Sequence, residues 1–136
     1  MSCVYAEVVA PLEEPKEAWG HVWSAELIPE LAEFGRMNVA RLGYAERVTF
    51  IEADASEGLP GESSFNLIIV TSAAPEIPRE LVDQLALGGT LLIPVGAAMF
   101  YQELVRVRKK GNGKLLHENL GGVAFVPMKG KRGWKN

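Results

Sequence analysis

Cysteine is almost missing: Cys3 is the single one in 136 residues. No intrachain disulfide can form, and an intracellular location is favoured. Histidine is nearly as scarce. His21 and His117 have no acidic or cysteine cluster near them in sequence, so no metal-ligand spacing arises and no metal is expected. No Ser/His/Asp or Cys/His constellation stands out either. Long hydrophobic runs are also lacking. The longest apolar stretch, residues 91–101, contains Pro94 and Gly96 and is too short to span a bilayer. The N-terminus has no basic region followed by an apolar run, so no signal peptide is expected. A strong positive charge is absent: the net charge of -3 gives no electrostatic reason to expect nucleic acid or an anionic membrane as main partner, and neither is expected. A cytoplasmic protein is expected.

What is present describes a globular chain, with 48% hydrophobic and 23% charged residues over a length suited to one domain. Residues 4–12 read as the end of a helix and residues 13–20 as a loop broken by Pro15. A short strand is expected at 21–26. Residues 28–42 then carry apolar or small side chains at helical spacing, with Pro29 at the start and Gly43 at the stop. Further strands are expected at 47–53, 66–71 and 89–95, the latter two as buried apolar runs, with a short helix at 78–87 between them. Residues 102–108 and 114–118 flank Gly111-Asn112-Gly113, a hairpin signal, and 123–126 suggest a last strand. The basic run Lys129, Lys131, Arg132 and Lys135 reads as a solvated tail.

Alternating strands and helices followed by a hairpin indicate an α/β sheet with an antiparallel extension. Ligands bind such sheets at the carboxyl ends of the strands, here Glu26, Asp54, Thr71 and Val95. Glu26 stands where a carboxylate accepts from both hydroxyls of a ribose, or where the helix dipole simply favours an acid. Asp54 suits the exocyclic amine of an adenine, or a turn Asp bonding its own backbone. Residues 71–78 place small residues and two prolines over the sheet edge, room for a bulky substrate or an ordinary connection. Glu76 reads as a surface carboxylate, His21 and His117 as structural, and Trp19, Trp23 and Trp134 as packing residues.

The order of five segments resembles the protein-L-isoaspartate O-methyltransferase family over roughly residues 20–130: AELIPELAEFGRMNVARLGY, FIEADASEGLP, FNLIIVTSAAPEIPRELVDQLALGGTLLIPVG, QELVRVRK and GVAFVPMKG. The resemblance implies a Rossmann-like methyltransferase sheet, N-terminally truncated, forming a single incomplete domain over residues 1–136. It implies methyl transfer from S-adenosylmethionine, leaving S-adenosylhomocysteine, to the carboxylate of isoaspartyl residues in damaged proteins, after which the ester cyclises to a succinimide. By motif, Glu26 would bind the ribose and Leu27 would line the adenine pocket. Asp54 and Ala55 would contact the adenine edge, and Thr71, Ala73, Ala74 and Pro75 would border the reacting centre. Thr71 counts with the cofactor, whereas Val126 and Pro127 join Ala73, Ala74 and Pro75 in holding the isoaspartyl peptide. No catalytic side chain is assigned, since an ionised acceptor needs alignment more than a base.

The departures concern the front of the family pattern. Its helix with a hydroxyl residue, its first strand and its glycine-rich loop have no counterpart here. The glycines normally admit the methionine part of the cofactor to the backbone. Asn66 replaces a frequent Asp, and Lys129 follows VPM where a hydroxyl can occur. Without the first strand, the strands ending at Glu26 and Thr71 pair directly, residues 2–9 fill the gap as a strand, or another chain does so by self-association. The alternative function is a catalytically inactive fragment acting as an interaction module. A nicotinamide-dependent enzyme is disfavoured, because no glycine fingerprint precedes Glu26.

Overall fold

The computed structural model describes residues 1–9, 13–62, 64–98 and 100–135. They form two compact units, Met1–Ala53 and Asp54–Asn136, each with its own sheet.

The first unit holds helix α1 (Ser2–Val9), a 3₁₀ turn (Lys16–Ala18), strand β1 (Val22–Glu26), helix α2 (Pro29–Arg41) and strand β2 (Val48–Glu52). Pro29 lies in the first turn of α2, where a missing N–H costs nothing. The helix stops just before Gly43, whose φ of +79° is one a residue with a Cβ rarely adopts. With α2 as crossover, β1 and β2 pair in parallel from Val22 opposite Val48 to Glu26 opposite Glu52. Ala6, Val39 and Val48 form the small core, with Cys3, Val22, Tyr44 and Phe50 packed on it. Gly35 lets the Phe50 ring lie so close to α2 that any added Cβ would collide with it.

A cationic side chain completes this unit. Arg47 is 2% exposed, yet its guanidinium meets Glu7 Oε1 at 2.9 Å and lies over the rings of Trp19 and Tyr44, at 5.4 and 4.3 Å. Desolvation is thereby compensated on one side by a carboxylate and on the others by ring faces.

The second unit holds a 3₁₀ turn (Ala55–Glu57), β3 (Phe65–Ile69), α3 (Arg79–Asp83), β4 (Leu85–Gly96), β5 (Gln102–Lys109) and β6 (Leu115–Val123). The sheet order is β3-β4-β5-β6, with β3 parallel to β4 and the other pairs antiparallel. Leu91 and Ile93 from β4 and Val107 from β5 are each 0% exposed and centre a core that includes Ala74, Leu81, Val82, Leu85 and Met128. The β5–β6 hairpin turns at Gly113, whose N–H donates to the Lys110 carbonyl at 2.8 Å.

The chain is therefore α/β with a mixed sheet, as expected, but several elements differ. Residues 2–9 are a helix, so they do not fill the sheet as a strand, and residues 10–12 of the expected helix lie outside the described residues. β1 and β3 belong to separate sheets rather than pairing directly. β3 is an edge strand, which leaves Leu67 49% exposed rather than buried on both faces. Helix 78–87 ends at Asp83, because Lys109 Nζ donates to the carbonyls of Val82, Asp83 and Leu85 and the chain then turns into β4. No separate strand forms at 123–126. β6 stops at Val123, the Gln102 side chain occupies the backbone of Phe125, and Pro127 makes a single bridge to Ala73. Among the described residues, no helix is long and apolar enough to cross a membrane.

Candidate functional site

In the first unit the expected cofactor edge is the end of β1. Glu26 is half-buried there, and its Oε1 accepts from the N–H of Ile28 at 3.0 Å. Ile28 is the extended residue that opens α2, so the carboxylate also satisfies a backbone donor just ahead of the helix. Its second oxygen is not needed for that bond and can accept from a ribose hydroxyl. Leu27 beside it is 40% exposed, an apolar surface of the kind an adenine ring covers.

In the second unit Asp54 does more than sequence reasoning foresaw. Its Oδ1 accepts from Ser56 N (3.1 Å) and Ser56 Oγ (2.6 Å), which caps the turn that contains Ala55. Its Oδ2 accepts from Lys131 N at 2.7 Å, 77 residues away. Burial pushes the Asp54 carboxyl up, but the hydrogen bonds from Ser56 and Lys131 outweigh it and hold the group below the usual aspartate range. Gly130 makes the approach feasible: at its φ of +109°, a Cβ would overlap the carboxylate itself.

Asp54 is thus the anchor of a strap, residues 128–134. Arg132 N donates to Ser56 Oγ at 3.1 Å and its guanidinium pairs with Glu80, while Lys131 Nζ meets Glu57 at 2.8 Å. Arg132 and the Glu80 backbone hold the Glu80 carboxyl low, its own N–H contributing most. Trp134 N donates to Met128 O, and Trp134 Nε1 reaches Ala73 O at 3.2 Å. The tail read as solvated is tied down at Lys131 and Arg132, whose cations face carboxylates distant in sequence, while Lys129 and Lys135 are exposed as expected. The available signal was Trp134 set among glycines and charges.

The expected acceptor edge is assembled by backbone. Ala73 N donates to Val126 O and Met128 N to Ala73 O, both at 2.8 Å. On the other side, Ala74 N donates to Pro94 O at 2.9 Å and Gly96 N to Ala74 O at 3.1 Å. Two parallel bridges result, Ala73 with Pro127 and Ala74 with Val95. Both alanine methyls are completely buried, so these residues position the loop rather than present side chains. Thr71, Pro75 and Val126 are exposed and Pro127 is half-buried. The structure thus joins Ala73, Ala74, Val126 and Pro127 in one stitched edge, with Thr71 and Pro75 flanking it. Sequence reasoning missed Gln102, which is 3% exposed and bonds to the segment behind Val126.

His21 is exposed, bonds Thr49 and meets the Trp23 ring edge-on, while His117 lies exposed on β6. Among the described residues, no group of three His, Cys, Asp or Glu is placed to hold a metal ion. Within the first unit Glu26 keeps an oxygen that suits a ribose hydroxyl, and within the second unit Asp54 Oδ2 keeps a lone pair that suits an amine. No glycine-rich turn for the methionine end occurs in this sequence.

Residues 4–133 match the profile of the protein-L-isoaspartate(D-aspartate) O-methyltransferase (PCMT) family. The protein-L-isoaspartate O-methyltransferase of Hyperthermus butylicus is 49% identical over 134 residues, covering 98% of this chain and 55% of that protein. A solved protein-L-isoaspartate O-methyltransferase superposes with a TM-score of 0.78 at 29% identity, over 94% of this chain and 39% of its own. A Plasmodium falciparum beta-aspartate methyltransferase, solved in complex with S-adenosyl-L-homocysteine, gives 0.69 at 27% identity, over 82% of this chain and 53% of its own. The chain spans about half the length of the curated relatives it matches.

Proposed function

This chain belongs to the protein-L-isoaspartate(D-aspartate) O-methyltransferase family, and from that premise we propose that it forms the adenosine-binding and acceptor-facing edge of a methyltransferase acting on isoaspartyl residues of damaged proteins. The observation that carries the reading is the stitched edge, where the AAPEIP loop lies between the end of β4 and the VPM segment through Ala74–Val95 and Ala73–Pro127. Those three segments are the ones by which the sequence resembles the family.

S-adenosylmethionine, when bound, supplies the methyl group on a sulfonium. Glu26 would accept from the ribose with Leu27 beside the adenine, and Asp54, Ala55 and Thr71 are the second unit's candidate cofactor residues by family motif. Pro75 would form one wall of the acceptor path, held in place by the buried Ala73 and Ala74, and Val126 and Pro127 the other. An isoaspartyl carboxylate is already ionised near neutral pH, so these residues orient it and no side chain need remove a proton. The 136 residues then constitute one incomplete methyltransferase domain, working in the cytoplasm on isoaspartyl-containing proteins or peptides. The open edge of β3 is where a second copy would pair.

The test is label transfer from S-adenosylmethionine, at concentrations far above micromolar, to an isoaspartyl peptide and its aspartyl twin. Label in the isoaspartyl peptide alone is expected. Equal labelling, or none, would sink the reading for this chain. Calorimetry with S-adenosylhomocysteine should show affinity weaker than micromolar, since no glycine turn admits the methionine end. Micromolar binding would mean that another segment replaces that turn.

A further inference from the structure

Beside the stitched edge lies a shallow hollow walled by Ala98 and Phe100 on one side and by Ala124, Phe125 and Val126 on the other, with Gln102 at its base. Gln102 is the first residue of β5, opposite Gly96 on β4 and Val123 on β6. Past Val123 the chain has no β5 backbone left to pair with. The Gln102 amide stands in for it: Oε1 accepts from Phe125 N at 2.7 Å and Nε2 donates to Phe125 O at 3.0 Å. This is the reciprocal pair that a strand residue would make. The same Nε2 donates to Ala97 O at 3.4 Å, so one amide holds both walls.

What it holds is surface rather than core. Phe100, Phe125 and Val126 are 84%, 38% and 70% exposed, and none belongs to the buried cluster around Leu91 and Ile93. A side chain buried to 3% exposure carries a desolvation cost that only full hydrogen bonding offsets. Here that bonding fixes exposed apolar residues and hands the Val126 carbonyl to Ala73.

We propose that Gln102 is the positioning residue of the acceptor-peptide subsite. It sets the backbone of Phe125 so that Val126 and Pro127 face the Ala73 loop in register, and it ties Ala97, next to Ala98 of the hollow's lining. The inference rests on the function proposed above and deepens it.

The experiment measures affinity of the full chain for a fluorescent isoaspartyl peptide and its aspartyl twin by anisotropy. Gln102→Leu removes all three bonds, and Gln102→Glu keeps only the one from Phe125 N–H. Gln102→Leu should weaken isoaspartyl binding by about tenfold or more, with Gln102→Glu intermediate. Exchange protection of the Phe125 amide should fall in Gln102→Leu and persist in Gln102→Glu. Lys109→Met, which uncaps α3 away from the hollow, serves as a destabilised control and should leave peptide affinity within about twofold. Unchanged peptide affinity in both Gln102 variants overturns the proposal. So does an equal loss in Lys109→Met, which would make the effect general destabilisation. A wild-type chain that does not distinguish the two peptides overturns the proposed function and this role with it. Wild-type discrimination with isoaspartyl affinity that survives undiminished in Gln102→Leu overturns this role alone.

Discussion

Among the described residues, the first unit pairs two parallel strands beside a core cluster of Ala6, Val39 and Val48, while the second unit pairs four strands around fully buried Leu91, Ile93 and Val107. In the first unit Leu31, Phe34, Met37 and Leu42 of α2 and its end are 51–64% exposed, so much of the helix's apolar side stays uncovered. A two-stranded sheet offers little area for a helix to cover, and its stability must come from elsewhere. Arg47, held between Glu7, Trp19 and Tyr44, adds an ion pair and two ring contacts to that small core. The second unit draws on ordinary close packing and uses its polar bonds to secure a strap and an exposed edge. The small sheet thus combines a minor apolar cluster with charge and ring contacts, while the larger one has an extensive interior.

Four substitutions would break or sharpen that contrast. The largest effect is expected for Leu91→Ala, about 3 kcal/mol for a fully buried leucine, measured by denaturant unfolding. Val39→Ala in the first unit should lose about 1.5 kcal/mol, in proportion to the smaller group removed. Equal losses would mean that the two cores are equivalent.

Next is Arg47→Ala, at about 2 kcal/mol from lost ring stacking and lost packing of its stem. Tyr44 first, and then Arg47, hold the Glu7 carboxyl below its ordinary value, so that carboxyl should titrate higher in the variant by NMR. Unchanged exchange protection in β1 and β2 would show that the first unit does not depend on Arg47.

The smallest effect concerns the strap. Although burial pushes the Asp54 carboxyl up, its hydrogen bonds hold it below the unfolded value. Its contribution is therefore present above the unfolded pKa and lost as pH falls through the lower, folded one. Acidification below the ordinary aspartate range should strip protection from the Lys131 amide while β4 and β5 stay protected. Asp54→Asn should do the same at neutral pH, at about 1 kcal/mol. A Lys131 amide indifferent to both changes would show that the strap is held without Asp54.

Much of the fold was legible because its signals are local. Pro29 and Gly43 bracket α2, and Gly111-Asn112-Gly113 marks the hairpin. The length of α3 was misread because its apolar residues continue into Leu85–Leu87. Helix and buried strand look alike over so short a run, and a lysine at position 109 decided where the helix stops. Glu26, Asp54 and the Ala73 loop were visible as strand-end residues, whereas Gln102 was not, since a glutamine at the start of a strand carries no mark of burial. Asp54 illustrates both cases. Its turn-capping of Ser56 is a two-residue pattern readable from sequence, and its hold on Lys131 is not.

Sequence by itself determined the order of the elements and the family, because periodicity, turn residues and motif order are properties of neighbouring positions. Only the tertiary structure decided what each polar group does. Arg47 finds Glu7 across 40 residues, Trp134 finds Ala73 across 61, and Lys131 finds Asp54 across 77. Partners so far apart are selected by which surfaces fold against each other and by the requirement that buried donors and acceptors be satisfied. No local pattern encodes that requirement.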